Sequence, residues 1–117
     1  MGNRVIAIPS ERAPLAAIAF YQVLDTSDVP GGVVNIVTGS SRPLMETLAS
    51  HDDVEAVWVW GDTDIGTQVE RLSIGNLKQT WVHTDESDCW SDPRRGQGER
   101  FLRHATQVKN IWIPYGE

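Results

Sequence analysis

Four short apolar runs, each about one strand long and separated by helical stretches, constrain this chain more than any other feature. They are Arg4 to Ile8 (RVIAI), Val33 to Val37 (VVNIV), Val54 to Trp60 (VEAVWVW) and Lys78 to His83 (KQTWVH). Between the first two lies Ala13 to Leu24 (APLAAIAFYQVL), with Leu15, Ile18, Ala19 and Val23 on one helical face. Pro14 suits its first turn, where no backbone donor is missed. Further helices are expected from about Arg42 to Ser50 and from about Asp64 to Leu72. Apolar runs that are continuous rather than alternating belong to strands covered on both faces, and helices between them make parallel crossovers. The pattern predicts an α/β chain with a three-layer Rossmann-like fold and a mostly parallel sheet of about five strands.

After His83 the rhythm breaks. Thr84 to Gly98 (TDESDCWSDPRRGQG) is a polar loop rich in Asp, Ser, Gly and Pro. Glu99 to Val108 is expected to form a last helix and Ile111 to Ile113 a last strand, so that residues 1–117 make one domain. The first strand begins almost at the first residue, as in a piece cut from a longer protein.

Charge and cysteine count narrow the function classes. A net charge of −6 argues against nucleic acid and anionic membrane as partners, since both need clustered Lys and Arg. Only Arg94 and Arg95 are adjacent cations, and Asp88, Asp92 and Glu99 surround them. No apolar run approaches a bilayer span. The single cysteine, Cys89, rules out an internal disulfide and suggests a reducing, cytoplasmic setting. Trp58, Trp60, Trp81 and Trp112 each sit in a β-like run and read as sheet and interface packing.

The stretch VWVWGDTDIG, residues 57–66, is the place to look for a ligand. An apolar run stops at Gly61, a helix start follows, and Gly66 comes five residues later. Strand-to-helix turns of this kind hold phosphates on free backbone N–H groups. Asp62 puts a fixed carboxylate at that helix start, which caps the helix and repels an anion. Gly61 and Gly66 therefore read either as pyrophosphate contacts or as a tight turn with close packing, and Asp62 favours the second.

Several segments together resemble the cofactor-binding domain of the aldehyde dehydrogenase superfamily. GNRVIAIPSE (residues 2–11) is similar to its Gly-Asn-x-Val-Val-x-Lys-Pro-Ser-Glu strand, and VPGGVVNIVTG (residues 29–39) to its Leu-Pro-Pro-Gly-Val-Val-Asn-Val-Val-Thr-Gly. HDDV (51–54) followed by GDTDIG (61–66) resembles His-Pro-Asp-Val and then Gly-Ser-Thr-Glu-Val-Gly. Asn76-Leu77-Lys78 resembles the Asn-Leu-Lys before the Glu-Leu-Gly-Gly-Lys strand. From Gly2 to about His83 these segments fall in family order and spacing.

The resemblance implies an NAD(P) site at Ser10, Glu11, Gly39, Gly61, Asp62 and Gly66, and the departures from the motif make that site vestigial. The lysine that shares the adenosine ribose with the glutamate is here Ile8, leaving Glu11 without its partner. Glu11 then reads as a residual ribose ligand or as a solvated residue near a helix start. Two further glycines usual in active members are Ser41 and Met45, and Trp60 stands where a threonine is usual. The catalytic glutamate falls on His83, its following glycines on Asp85 and Glu86, and Cys89 does not match the family nucleophile. No catalytic residue and no cofactor is expected for this chain, with NAD(P) the cofactor if the site is competent. The ending ATQVKNIWIPYGE resembles the degenerate C-terminal region of family-16 aldehyde dehydrogenases. The implied role is non-catalytic and structural, beside a catalytic aldehyde dehydrogenase domain or in a homo-oligomer, through the tryptophan-rich strands and final helix. The alternatives are an NAD(P)-binding fragment of an active enzyme that oxidises aldehydes to carboxylic acids, and a stand-alone nucleotide-binding module.

Other constellations read as structural. Cys89 with His83 or His104 lacks an oxyanion pocket. His51-Asp52-Asp53 cannot converge on one metal ion without an unusual turn, and no metal site is expected. Asp85 to Asp88 is a solvated acidic run, and Asp92 to Arg95 a turn.

Overall fold

Parallel strand pairing organises the first 84 residues. The computed structural model describes residues 2–84, 92–108 and 111–116, and the chain divides into two compact units, Gly2–Glu86 and Ser87–Glu117. In the first unit the order is β1 (Val5–Ala7), α1 (Pro14–Asp25), β2 (Val34–Ile36), α2 (Ser41–Ser50), β3 (Ala56–Trp60), α3 (Thr63–Leu72), a 3-10 turn (Ser73–Asn76) and β4 (Gln79–His83). β1 pairs with β2 and β3 with β4, both parallel, in registers that set Val5 opposite Val34 and Trp58 opposite Trp81. The class is the α/β Rossmann-like one the pattern predicts. The described strands number four, in two pairs, where the pattern predicts about five in one sheet.

The core forms where two amphipathic helices meet one face of β3 and β4. Met45 and Ala49 lie four residues apart on α2, and Ile65, Val69 and Leu72 follow at steps of four and three on α3. Ala49 and Val69 are fully buried, and Val57 and Val59 pack against them from β3. Because strand side chains alternate, Trp58 and Trp60 project from the other face, beside Trp81 and His83 of β4. Trp58 and Trp81 meet edge to face at 4.9 Å, and the His83 ring stacks on Trp60 at 5.6 Å with only 6° between planes. The expected packing role of these three indoles therefore holds within the sheet.

Each end of α2 is closed by a residue from far along the chain. A Glu11 carboxylate oxygen accepts from the Ser41 backbone N–H at its start. At its finish Lys78 Nζ donates to the carbonyls of Ala49 and His51, both at 2.7 Å, and to Leu48 at 3.4 Å. Lys78 is brought there by the 3-10 turn and by Leu77 in the left-handed region (φ 56°). Asn76 steadies that corner, its Nδ2 donating to the Asp52 and Val54 carbonyls.

Helix α1 differs from expectation. The face of Leu15, Ile18, Ala19 and Val23 predicts a core-facing helix, yet α1 has no buried residue and Leu15 is 75% exposed. The helix forms because Ala and Leu favour it and Pro14 fits its first turn, while no described element buries its apolar stripe.

In the second unit Asp92 organises a turn, its side chain accepting from Arg94 N and its carbonyl from Arg95 N and Gly96 N. α4 (Glu99–His104) follows, with an exposed Arg103–Glu99 pair at 2.8 Å. The helix stops four residues short of the expected Val108; Thr106 turns its hydroxyl back onto the Arg103 carbonyl, a local bond that competes with helix continuation. Ile111 to Ile113 is not a strand. These residues pair with no neighbour among the described ones, and Trp112 is 91% exposed, so its expected place in a sheet is corrected. Asp85 to Asp88 and Cys89 lie outside the described residues.

Candidate functional site

In open parallel α/β sheets, ligands gather beyond the carboxyl ends of the strands, where helix N-termini present free N–H groups. Two such ends exist here. Past β1 and β2 lie Ser10, Glu11 and Gly39 with the start of α2; past β3 and β4 lie Gly61, Asp62 and His83 with the start of α3.

At the β3 end the loop is closed on itself. Asp62 is the N-cap of α3, and its Oδ1 accepts from Ile65 N at 2.9 Å. Gly61 N donates to the His83 carbonyl at 3.0 Å, continuing the strand ladder by one more bond. A Cβ on Gly61 would meet only Ile65 at ordinary contact distance, so sterics do not demand glycine there. Gly66 is different. It is buried in the first turns of α3, and a Cβ there would sit 2.5 Å from Val82 Cγ1 of β4. Its hydrogen allows helix and strand to touch, so Gly66 contributes close packing.

At the β1 end Ser10 and Glu11 are both exposed, and both are engaged with backbone. Ser10 Oγ accepts from Arg12 N at 3.3 Å, a local turn, and Glu11 holds Ser41 N. Gly39 takes φ 157°, and a Cβ there would come 3.3 Å from Leu44 Cδ1. Met45, which replaces a family glycine, points into the core with Ala49 and Val69. The six residues singled out from the sequence thus divide between two strand ends. Ser10, Glu11 and Gly39 lie at one, while Gly61, Asp62 and Gly66 lie at the other.

His51 accepts from Asp53 N through Nδ1 at 3.1 Å, a local turn. Among the described residues no three His, Cys, Asp or Glu side chains gather as a metal site would require. No described helix is long and apolar enough to cross a membrane. Among the long-range features that escaped the sequence reading, two join side chains to α2. One is Lys78 at the end of α2. The other is Gln68 Nε2 donating to Glu46 Oε1 at 2.6 Å across the open groove between α2 and α3. Asn76-Leu77-Lys78 was visible as a motif, but the carbonyls that Lys78 reaches lie 27 to 30 residues back.

The cap at Asp62 has a direct test. Asp62→Ala is expected to lower the unfolding free energy by about 1 kcal/mol, and Asp62→Ser, which keeps an acceptor, by about half that or less. Urea denaturation of the three chains reads the difference.

A family model for the "Aldehyde dehydrogenase family" matches residues 1–85. Over 82 residues the chain is 35% identical to the NADP/NAD-dependent aldehyde dehydrogenase PuuC of Escherichia coli (strain K12), covering 69% of this chain and 17% of that protein. The solved aldehyde dehydrogenase KauB from Pseudomonas aeruginosa superposes with a TM-score of 0.67 at 34% identity, over 71% of this chain and 17% of its own. Aldehyde dehydrogenase C (AldC) from Pseudomonas syringae, solved in complex with NAD+ and octanal, gives a TM-score of 0.65 at 29% identity, over 68% and 16%. The chain therefore spans 17% of the length of the curated relative PuuC. The family match runs from β1 through β4 and takes in both strand ends. The chain belongs to the aldehyde dehydrogenase family.

Proposed function

We propose that the chain, over residues 1–117, is a non-catalytic aldehyde-dehydrogenase-like module with a structural or assembly role beside a catalytic aldehyde dehydrogenase unit. The observation that carries this reading is the bond from Ile65 N to Asp62 Oδ1 at 2.9 Å. A carboxylate fixed on that helix start satisfies its donor and repels the pyrophosphate that a family member would place nearby. Ile8 in the lysine position and His83 in the glutamate position support the same reading, as does Glu11 spent on Ser41 N. The residues present fit a dinucleotide poorly, so no cofactor is assigned.

The partner on this reading is a catalytic aldehyde dehydrogenase domain or a second copy of the chain. The exposed apolar side chains of α1, with Phe20 and Tyr21 beside Leu15 and Ile18, give it a surface to pack. The degenerate C-terminal domain of family-16 aldehyde dehydrogenases is the subgroup that best fits a kept scaffold with lost chemistry, and the single cysteine fits a cytoplasmic setting.

Titration of the chain with NAD and NADP by calorimetry tests the proposal. No saturable binding is expected below about 1 mM, and a tighter constant sinks the non-catalytic reading. The second reading is an NAD(P)-binding fragment of an enzyme oxidising aldehydes to carboxylic acids, and the 35% identity to an NADP/NAD-dependent relative favours it. Saturable NAD(P) binding would favour that fragment, or a stand-alone nucleotide-binding module. Aldehyde turnover by the full reading frame separates those two.

A further inference from the structure

We propose that Glu11 is a clamp on helix α2, and that the glutamate which the family motif assigns to a sugar is committed here to backbone. Helix α2 has no favourable charge of its own at either end: no acid in its first turn, where Arg42 is instead a cation, and no base in its last. Its N-cap residue, Ser40, makes no side-chain cap bond. Pro43 offers no N–H, and Leu44 N reaches the Ser40 carbonyl only at 3.4 Å. Ser41 N would be left to water, and Glu11 reaches it from thirty residues upstream. An anion at a helix start and a cation at its finish both oppose the helix dipole favourably. Lys78 supplies the second from the opposite direction in sequence. Both favourable end charges of α2 are therefore imported, one from the loop after β1 and one from the residue that precedes β4. Glu11 ties the loop of the β1–β2 pair to a helix whose buried face packs on β3.

The clamp rests on the Glu11–Ser41 contact and is compatible with either reading of function, although it removes Glu11 from the candidate nucleotide ligands. Amide hydrogen exchange by NMR on the full chain tests it. Glu11→Ala is expected to speed exchange at Ser41 at least about tenfold, in line with loss of a protecting bond. Glu11→Gln, which keeps an acceptor without the charge, should fall between. Adding Ser40→Asp to Glu11→Ala gives α2 a local cap on Arg42 N, since Pro43 has no N–H, and should recover stability while Ser41 still exchanges fast, a split that a general loss of stability would not show. Wild-type exchange at Ser41 in both Glu11 variants overturns the clamp. So does a tenfold loss of NAD affinity in Glu11→Gln with exchange unchanged, because that would return Glu11 to the ribose. A wild-type chain that binds NAD tightly sinks the non-catalytic reading and leaves the exchange result to decide the clamp by itself.

Discussion

Lys78→Met is expected to lower the unfolding free energy by about 2–4 kcal/mol, read as a fall in the urea midpoint at unchanged slope. Methionine has nearly the length and volume of lysine, so packing changes little. What it lacks is the donor. The carbonyls of Ala49 and His51 each lose a charge-assisted bond of 2.7 Å, and Ala49 is fully buried, so water cannot reach it readily. Bonds to a charged partner contribute about 1.5–3 kcal/mol each, and a buried acceptor left bare adds its own desolvation cost. Lys78 is itself only 9% exposed, and removing its charge returns some of the cost of burying it. The balance remains unfavourable because α2 has no basic residue in its own last turn. A midpoint within error of wild type would show that those carbonyls find water instead.

The second large effect is at Gly66. On an exposed helix, glycine to alanine stabilises by about 1 kcal/mol through chain entropy. Here a Cβ would fall 2.5 Å from Val82 Cγ1, far inside contact. Valine on a strand has little rotamer freedom with which to yield, so α3 must lift from β4. Gly66→Ala is therefore expected to destabilise by about 1–3 kcal/mol, the range of overpacked cores. Val82→Ala should relieve the clash, so the double variant is expected to be more stable than the sum of the two single changes predicts. Strict additivity would mean that Gly66 is kept for something other than contact with Val82.

Much of the local structure was legible in the residues. Period and punctuation placed α1 to α3 and β1 to β4 within about two residues, because apolar spacing and glycine act locally. Asp62 could be read as a cap because it directly precedes a helical run. What remained hidden is long-range. Glu11 reaching Ser41 and Lys78 reaching Ala49 span thirty and twenty-nine residues, and nothing in local spacing names such targets. The family motif marked Glu11 but attached it to a sugar. The exposure of α1 was also hidden, since an apolar stripe states what a helix would bury and not whether a neighbour is there to receive it. Ile111 to Ile113 failed as a strand for the same reason: β propensity needs a partner edge.

The indoles on β3 and β4 also decide what an optical measurement on this protein sees. Trp58, Trp60 and Trp81 crowd one strand pair, Trp112 is almost fully in solvent, and β1, α1 and β2 carry no tryptophan at all. Emission excited at the red edge thus comes from the β3–β4 ladder together with Trp90 and Trp112, and none of it from the half of the fold that Glu11 fastens. That half has Phe20 and Tyr21 as its native chromophores, so loosening of β1 and β2 would pass unnoticed in a fluorescence melt that looks fully cooperative.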